Sequence, residues 1–177
     1  MSTSYFSWSY AVDSATMESG AQSVLHVLRK PEAQDDLVRD ESRADWYLST
    51  VEKMVRNHEL TPLRFLDRTQ AERLVDDSGQ PWSISILPVA EVAGALDALN
   101  QVLQIARLDP TRMVPYFSGL ESTEADVRDA LIHPREVDGD EGLGPHYLFS
   151  HLDDLRGLLS RAAEAGLGIA HVRYLYE

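Results

Sequence analysis

The sequence predicts an α+β fold: a single domain over residues 1–177, with a small sheet that includes both terminal strands and packs against several helices. Three observations carry this prediction. Phe6, Trp8, Tyr10 and Val12 alternate with Ser7, Ser9 and Ala11, a period of two that lines one face of a strand. At the other end, Ala170, Val172, Tyr174 and Tyr176 alternate in the same way. Between them lie apolar stripes at helical spacing, with too few strand signatures to follow each helix as a classical α/β sheet requires. No internal repeat, low-complexity tract or Gly/Ser linker divides the chain.

Taken in order, the first strand gives way to a helix that Asp13 or Ser14 can cap, because their side-chain oxygens accept from free backbone N–H groups. Met17, Ala21, Val24 and Leu28 then recur four, three and four residues apart, and Pro31 closes the stripe. Residues 32–45 hold six acids and two arginines with little periodic apolar content, which reads as a solvated loop or a frayed helix start. A helix is expected over 44–58, with Tyr47, Val51, Met54 and His58 on one side and Leu48 and Val55 beside them. Thr61-Pro62 restarts the chain, and Leu63, Phe65 and Leu66 suit either a strand or a helical turn. A short helix over 69–75 is expected to stop at Asp77-Ser78-Gly79.

Trp82, Ile84 and Ile86 alternate with serines as a short strand. Pro88 then suits a helix start, and Val89, Val92, Leu96, Leu99, Leu103 and Ala106 repeat at helical spacing despite Gly94. Asp109-Pro110 closes this helix, and residues 113–117 form an apolar loop. Residues 121–141 return to acid, with eight Asp/Glu against two arginines. Gly144-Pro145 opens the last helix, whose stripe is Leu148, Leu152, Leu155, Leu159 and Ala162 and whose stop is Gly166.

Composition excludes several functions. A net charge of −13 argues against nucleic acid and against anionic membrane surfaces, both of which are bound by clustered cations. The longest uncharged stretch, residues 78–90, has 13 residues, whereas a spanning helix needs about 20. The N-terminus lacks the basic region of a signal peptide, and there are no cysteines. Thiolate metal sites and cysteine nucleophiles are therefore absent, and a cytoplasmic location is expected.

The segments FSWSYAVDSATMES, PWSISILPVAEVAGALDAL and HYLFSHLDDLRGLLSRAAEAG, the last followed by an apolar strand, resemble the YfbM-like family of uncharacterised bacterial proteins. The resemblance spans most of the chain and implies a small cytosolic α+β domain. It transfers no reaction, because no catalytic signature defines that family. Where relatives place a histidine one turn after a tryptophan, this chain has Trp46 followed by Thr50.

His146 and His151 are five residues apart, about 140° around a helix, unlike an i, i+4 metal pair. His58-Glu59 begins like a zinc-protease motif, but Leu60-Thr61-Pro62 brings no second histidine. Asp138-Gly139-Asp140-Glu141-Gly142 looks like a calcium loop, yet Leu143 and Phe149 stand where Gly and a bidentate Glu are needed. No nucleophile elbow or phosphate-binding glycine loop occurs, and adjacent carboxylates such as Asp153 and Asp154 do not face each other on a helix. No metal or cofactor is expected.

These readings favour a non-enzymatic binding protein that uses its acidic segments to engage a basic protein partner, for instance an immunity-type inhibitor of a toxin. The expected contact residues are Asp138, Asp140 and Glu141, joined by the loop aromatics Tyr116 and Phe117. The alternative is an enzyme whose histidines and carboxylates meet only in the fold.

Overall fold

The N-terminal alternation of aromatics and serines does form a strand, and its partner is the far end of the chain. In the computed structural model, which describes residues 5–29, 38–43, 48–117, 122–133 and 144–175, β1 (Tyr5–Val12) lies antiparallel to β5 (Gly168–Leu175) from Tyr5 opposite Leu175 to Val12 opposite Gly168. The sheet has five strands in the order β2-β1-β5-β4-β3, all pairs antiparallel. Its other members are β2 (Val38–Arg43), β3 (Glu72–Val75) and β4 (Pro81–Leu87). The fold is thus α+β, with both terminal strands side by side at the centre of the sheet.

Both edges are charged, which blunts the tendency of a free edge to recruit another chain. The β2 edge is VRDESR, where the composition suggested a loop or frayed helix. An edge strand paired on one side needs no apolar alternation, so charge there does not prevent pairing with β1. The β3 edge lies where a short helix over 69–75 was expected. Only a 3₁₀ turn, Arg68–Gln70, precedes it, and the Asp77-Ser78-Gly79 punctuation is a hairpin turn rather than a helix stop. Asp76 organises that turn by accepting from the Ser78 and Gln80 N–H groups, the Ser78 hydroxyl and the Trp82 indole. Burial favours its neutral form, but these donors outweigh it and hold the Asp76 carboxyl well below the usual carboxylate range.

The expected first helix is broken into α1 (Ser14–Glu18) and α2 (Ala21–Arg29). Gly20, in the left-handed conformation at φ 90°, turns the chain between them. Asp13 caps α1 as anticipated, accepting the Thr16 N–H at 2.9 Å. Next come α3 (Leu48–Asn57) and a 3₁₀ segment, Thr61–Leu66, which resolves the strand-or-turn ambiguity in favour of the turn. The long middle helix is α4 (Val89–Leu108).

Two further 3₁₀ turns, Pro110–Arg112 and Val114–Phe117, occupy the stretch read as an apolar loop. The acidic stretch 121–141 contains a helix that charge counting did not reveal, α5 (Glu124–Ile132). A reciprocal capping box between Thr123 and Asp126 starts it. The last helix, α6 (Pro145–Ala165), ends at Gly166 with φ 66°, in the left-handed cap expected there. Among the described residues no helix is long and apolar enough to cross a membrane.

Helices cover both faces of the sheet. On one, α1 and α2 bring Val24, Leu25 and Leu28 against Val12, Ile84, Ala170 and Val172. On the other, α3, α4, α5 and α6 form the larger core, including Val51, Leu99, Val127 and Leu159, against Ala11, Leu87 and Ile169.

Candidate functional site

Alternation along the central strands sorts their residues onto those two faces. Trp8, Tyr10 and Val12 face α1 and α2, so Ser7, Ser9 and Ala11 face the larger helical layer. Register then sets serines beside the β5 residues of opposite character. Ser9, His171 and Ser85 form one row across β1, β5 and β4, and Ser7, Arg173 and Ser83 form the next. All six are buried, with His171 1% and Arg173 2% exposed. These serines therefore make a polar band inside the protein.

A buried arginine must be both paired and saturated with acceptors. Three groups accept from Arg173. Its Nη1 lies 3.0 Å from Glu52 Oε1 on α3, its Nη2 donates to the Leu66 carbonyl, and its Nε donates to His171 Nε2 at 3.1 Å. One side chain on β5 thus ties α3 and the end of the 3₁₀ segment to the sheet. Asp67 and Arg56, 3.7 Å apart, form a second pair beside it. Burial opposes the Asp67 charge, yet bonds from Thr69 and the charges of Arg56 and Arg173 hold its carboxyl below the usual range.

The Arg173–His171 bond fixes the histidine tautomer. An arginine N–H can only donate, so His171 Nε2 carries no proton. The neutral ring keeps its proton on Nδ1 and donates it to Ser9 Oγ, 2.8 Å away. Burial, reinforced by the Arg173 charge, pushes His171 well below the ordinary histidine range. This polarity is the reverse of a nucleophile–base pair, in which the imidazole accepts the serine proton. Both ring nitrogens are committed, one as donor and one as acceptor, and neither has a lone pair left for Ser9. A constellation of Ser, His, Arg and Glu is thereby arranged as a structural clamp.

Phe65 closes the site edge-on to His171 at 6.2 Å and 84°. The Ser85 hydroxyl, buried beside His171, has no hydrogen-bond partner among the described residues.

The residues singled out from sequence lie elsewhere. Asp138, Asp140, Glu141 and Trp46 fall outside the described residues. Phe117 is 2% exposed and packs on Phe149 with ring centroids 6.4 Å apart. It is a core residue rather than a contact residue, because the 3₁₀ turn directs its ring inward. Tyr116, its neighbour, is only partly buried. Its hydroxyl meets His58 Nε2 at 3.2 Å and accepts from Asn57 Nδ2 at 3.1 Å, which pins the ring to the end of α3. Burial and then the Arg112 charge lower the His58 pKa.

His146 contacts Asp129 at 3.2 Å, while His151 stacks edge-on against Tyr147 at 4.4 Å. Among the described residues no group of three or more His, Cys, Asp or Glu side chains is placed to hold a metal ion.

His171 and Arg173 were the residues sequence reasoning missed. Their signal was present as two polar side chains, i and i+2, within an otherwise apolar strand, which places both on one face. Compared with protein-family models, curated proteins and solved structures, the chain matches none.

Proposed function

We propose that this chain is a small acidic binding protein, without chemistry of its own, that recognises a basic protein partner. The observation that supports the reading is the concentration of its negative charge: residues 32–45 and 121–141 hold fourteen of the 29 acids. The elements these stretches contribute, β2 and α5, both pack against α6. Glu124 and Asp126 are exposed on α5, and Asp154 is exposed on α6. Such a field accelerates encounter with a cationic surface and selects against anionic ones. The commitment of His171, Arg173 and Glu52 to one another supports the same reading, since the strongest catalytic-looking cluster is spent on internal bonds.

An immunity-type inhibitor of a toxin is the finer form of this proposal, and kinship with the YfbM-like family is proposed on the three segments quoted above. The test is stopped-flow association with the basic product of an adjacent gene. Wild-type association should slow as salt rises from 50 to about 500 mM, where the Debye length shrinks to a few ångströms. A variant with Asp138, Asp140 and Glu141 replaced by lysine should associate at least about tenfold more slowly at low salt and lose most of the salt dependence. Equal rates for the two proteins at every salt concentration would refute the reading.

A further inference from the structure

The clamp contains a titratable group at the point where it is most vulnerable. Arg173 reaches α3 through Glu52 and the end of the 3₁₀ segment through the Leu66 carbonyl, and its Nε relies on the lone pair of His171 Nε2. A proton at Nε2 would remove that acceptor and set an imidazolium against a guanidinium at 3.1 Å. We propose that His171 is an acid-operated latch: its protonation expels Arg173 from the clamp and releases α3 with the Thr61–Leu66 segment from the sheet, while the sheet and α6 stay folded.

The surroundings decide whether a charged His171 could be tolerated in place. From β1 it meets Ser9, which already accepts its Nδ1 proton. From β4 it meets the Ser85 hydroxyl across the register, and from the 3₁₀ segment the Phe65 ring. On β5 its neighbour is the cation Arg173. From α3 comes Glu52, which is spent on Arg173, and behind it Asp67 is matched by Arg56. Helix α4 contributes no buried polar or charged residue among the described residues, and α6 contributes only the buried Nδ1 atoms of His146 and His151, neither of them a carboxylate. Among the described residues no carboxylate is left to receive an imidazolium, so the proton is accommodated by opening.

The opening unit is defined by packing. Helix α3 packs chiefly on the 3₁₀ segment that follows it, that segment packs in turn on α4 and β4, and Arg173 bonds to both α3 and the segment. By contrast α6 packs on α4, α5, β1, β2 and β5, so it has many anchors that do not involve His171.

The sign follows from linkage. A histidine held neutral in the closed state and free to titrate in the open state stabilises closure fully above its ordinary pKa, and that stability is lost as pH falls below it. With an open-state pKa of about 6.5, the opening constant should rise about thirtyfold between pH 7.5 and 5.0.

Hydrogen exchange of the full chain, corrected for the intrinsic pH dependence of exchange, reads this directly. Protection of the α3 amides should fall about thirtyfold over that range while protection at the centre of α6 changes little. His171→Gln can still accept from Arg173 and donate to Ser9 without titrating, so it should flatten the α3 profile. Parallel loss in α3 and α6, no pH-dependent loss in α3, or the same α3 slope in His171→Gln would overturn the proposal. If that variant does not fold, ¹⁵N NMR of the wild-type imidazole decides the matter. A proton on Nδ1 alone at pH 7.5, gained at Nε2 in step with α3 opening, supports the latch, and a charged or Nε2-protonated ring at pH 7.5 refutes it.

Discussion

The two faces of the sheet use the same strands to opposite ends. Towards α1 and α2 they present Trp8, Val12, Ile84, Ala170, Val172 and Trp82, an apolar surface in which the tryptophans are only half-buried. Trp82 stacks near Tyr174 at 4.9 Å and Trp8 at 6.4 Å. Towards the larger helical layer they present, beside Ala11, Leu87 and Ile169, a row of serines, a histidine and an arginine, all buried. The face with large aromatics is the thinner and wetter one, and the face with small polar residues is the deep one. Residue size and polarity along a strand therefore do not tell inside from outside when helices cover both faces.

The sharpest way to break this comparison is to unpair the deep face. Arg173→Met leaves Glu52 buried without its cation and should cost about 3–5 kcal/mol, as for other buried pairs broken from one side. Urea melts would measure it, and a loss below about 1 kcal/mol would mean that Glu52 reaches water. Leu155→Ala tests the apolar part of the same layer. Leu155 is buried, so truncation should cost about 2–5 kcal/mol. Leu96, which shares the sequence stripe of α4, is only partly buried against the core and should cost less.

Gly168 leaves no room for a side chain on the thin face. A Cβ there would stand 2.3 Å from Met17 Sδ and 2.8 Å from the Leu87 carbonyl oxygen. The thioether can swing away but the backbone cannot, so Gly168→Ala should destabilise by about 1–3 kcal/mol. The smallest effects separate the two serines that flank His171. Ser9→Ala strands the buried Nδ1–H and should cost about 1–3 kcal/mol. Ser85→Ala removes a buried hydroxyl with no hydrogen-bond partner among the described residues and should be neutral or stabilising by about 1 kcal/mol. Equal losses from the two substitutions, measured side by side in thermal melts, would remove the distinction between them.

Much of the fold was legible because strong periodicity survives any tertiary context. The stripes of α4 and α6, the Gly166 stop and the terminal strands all follow from spacing alone. The strands β2 and β3 were not legible, since VRDESR and ERLV carry no period and are strands only because β1 and β4 offer them a ladder. The helix α5 was hidden by counting charge where the Thr123-x-x-Asp126 cap was the informative feature. Gly20 divided a correct stripe into two helices through its left-handed backbone, which periodicity does not register. The polar band was not legible for a different reason. Alternating serines suggest solvent unless the opposite strand carries groups that need them, and His171 and Arg173 lie 162 and 166 positions away from Ser9 and Ser7 in the chain.

Ser9, His171, Arg173 and Glu52 form a clamp whose hydrogen bonds run from histidine to serine, so that Ser9 is no nucleophile. Treatment of the native protein with a fluorophosphonate at pH 7.5, followed by peptide mass spectrometry, tests it most directly. No adduct is expected on Ser9 in wild type or in His171→Gln. Stoichiometric labelling of Ser9 in wild type that disappears in His171→Gln would contradict it and would make the buried cluster a catalytic centre.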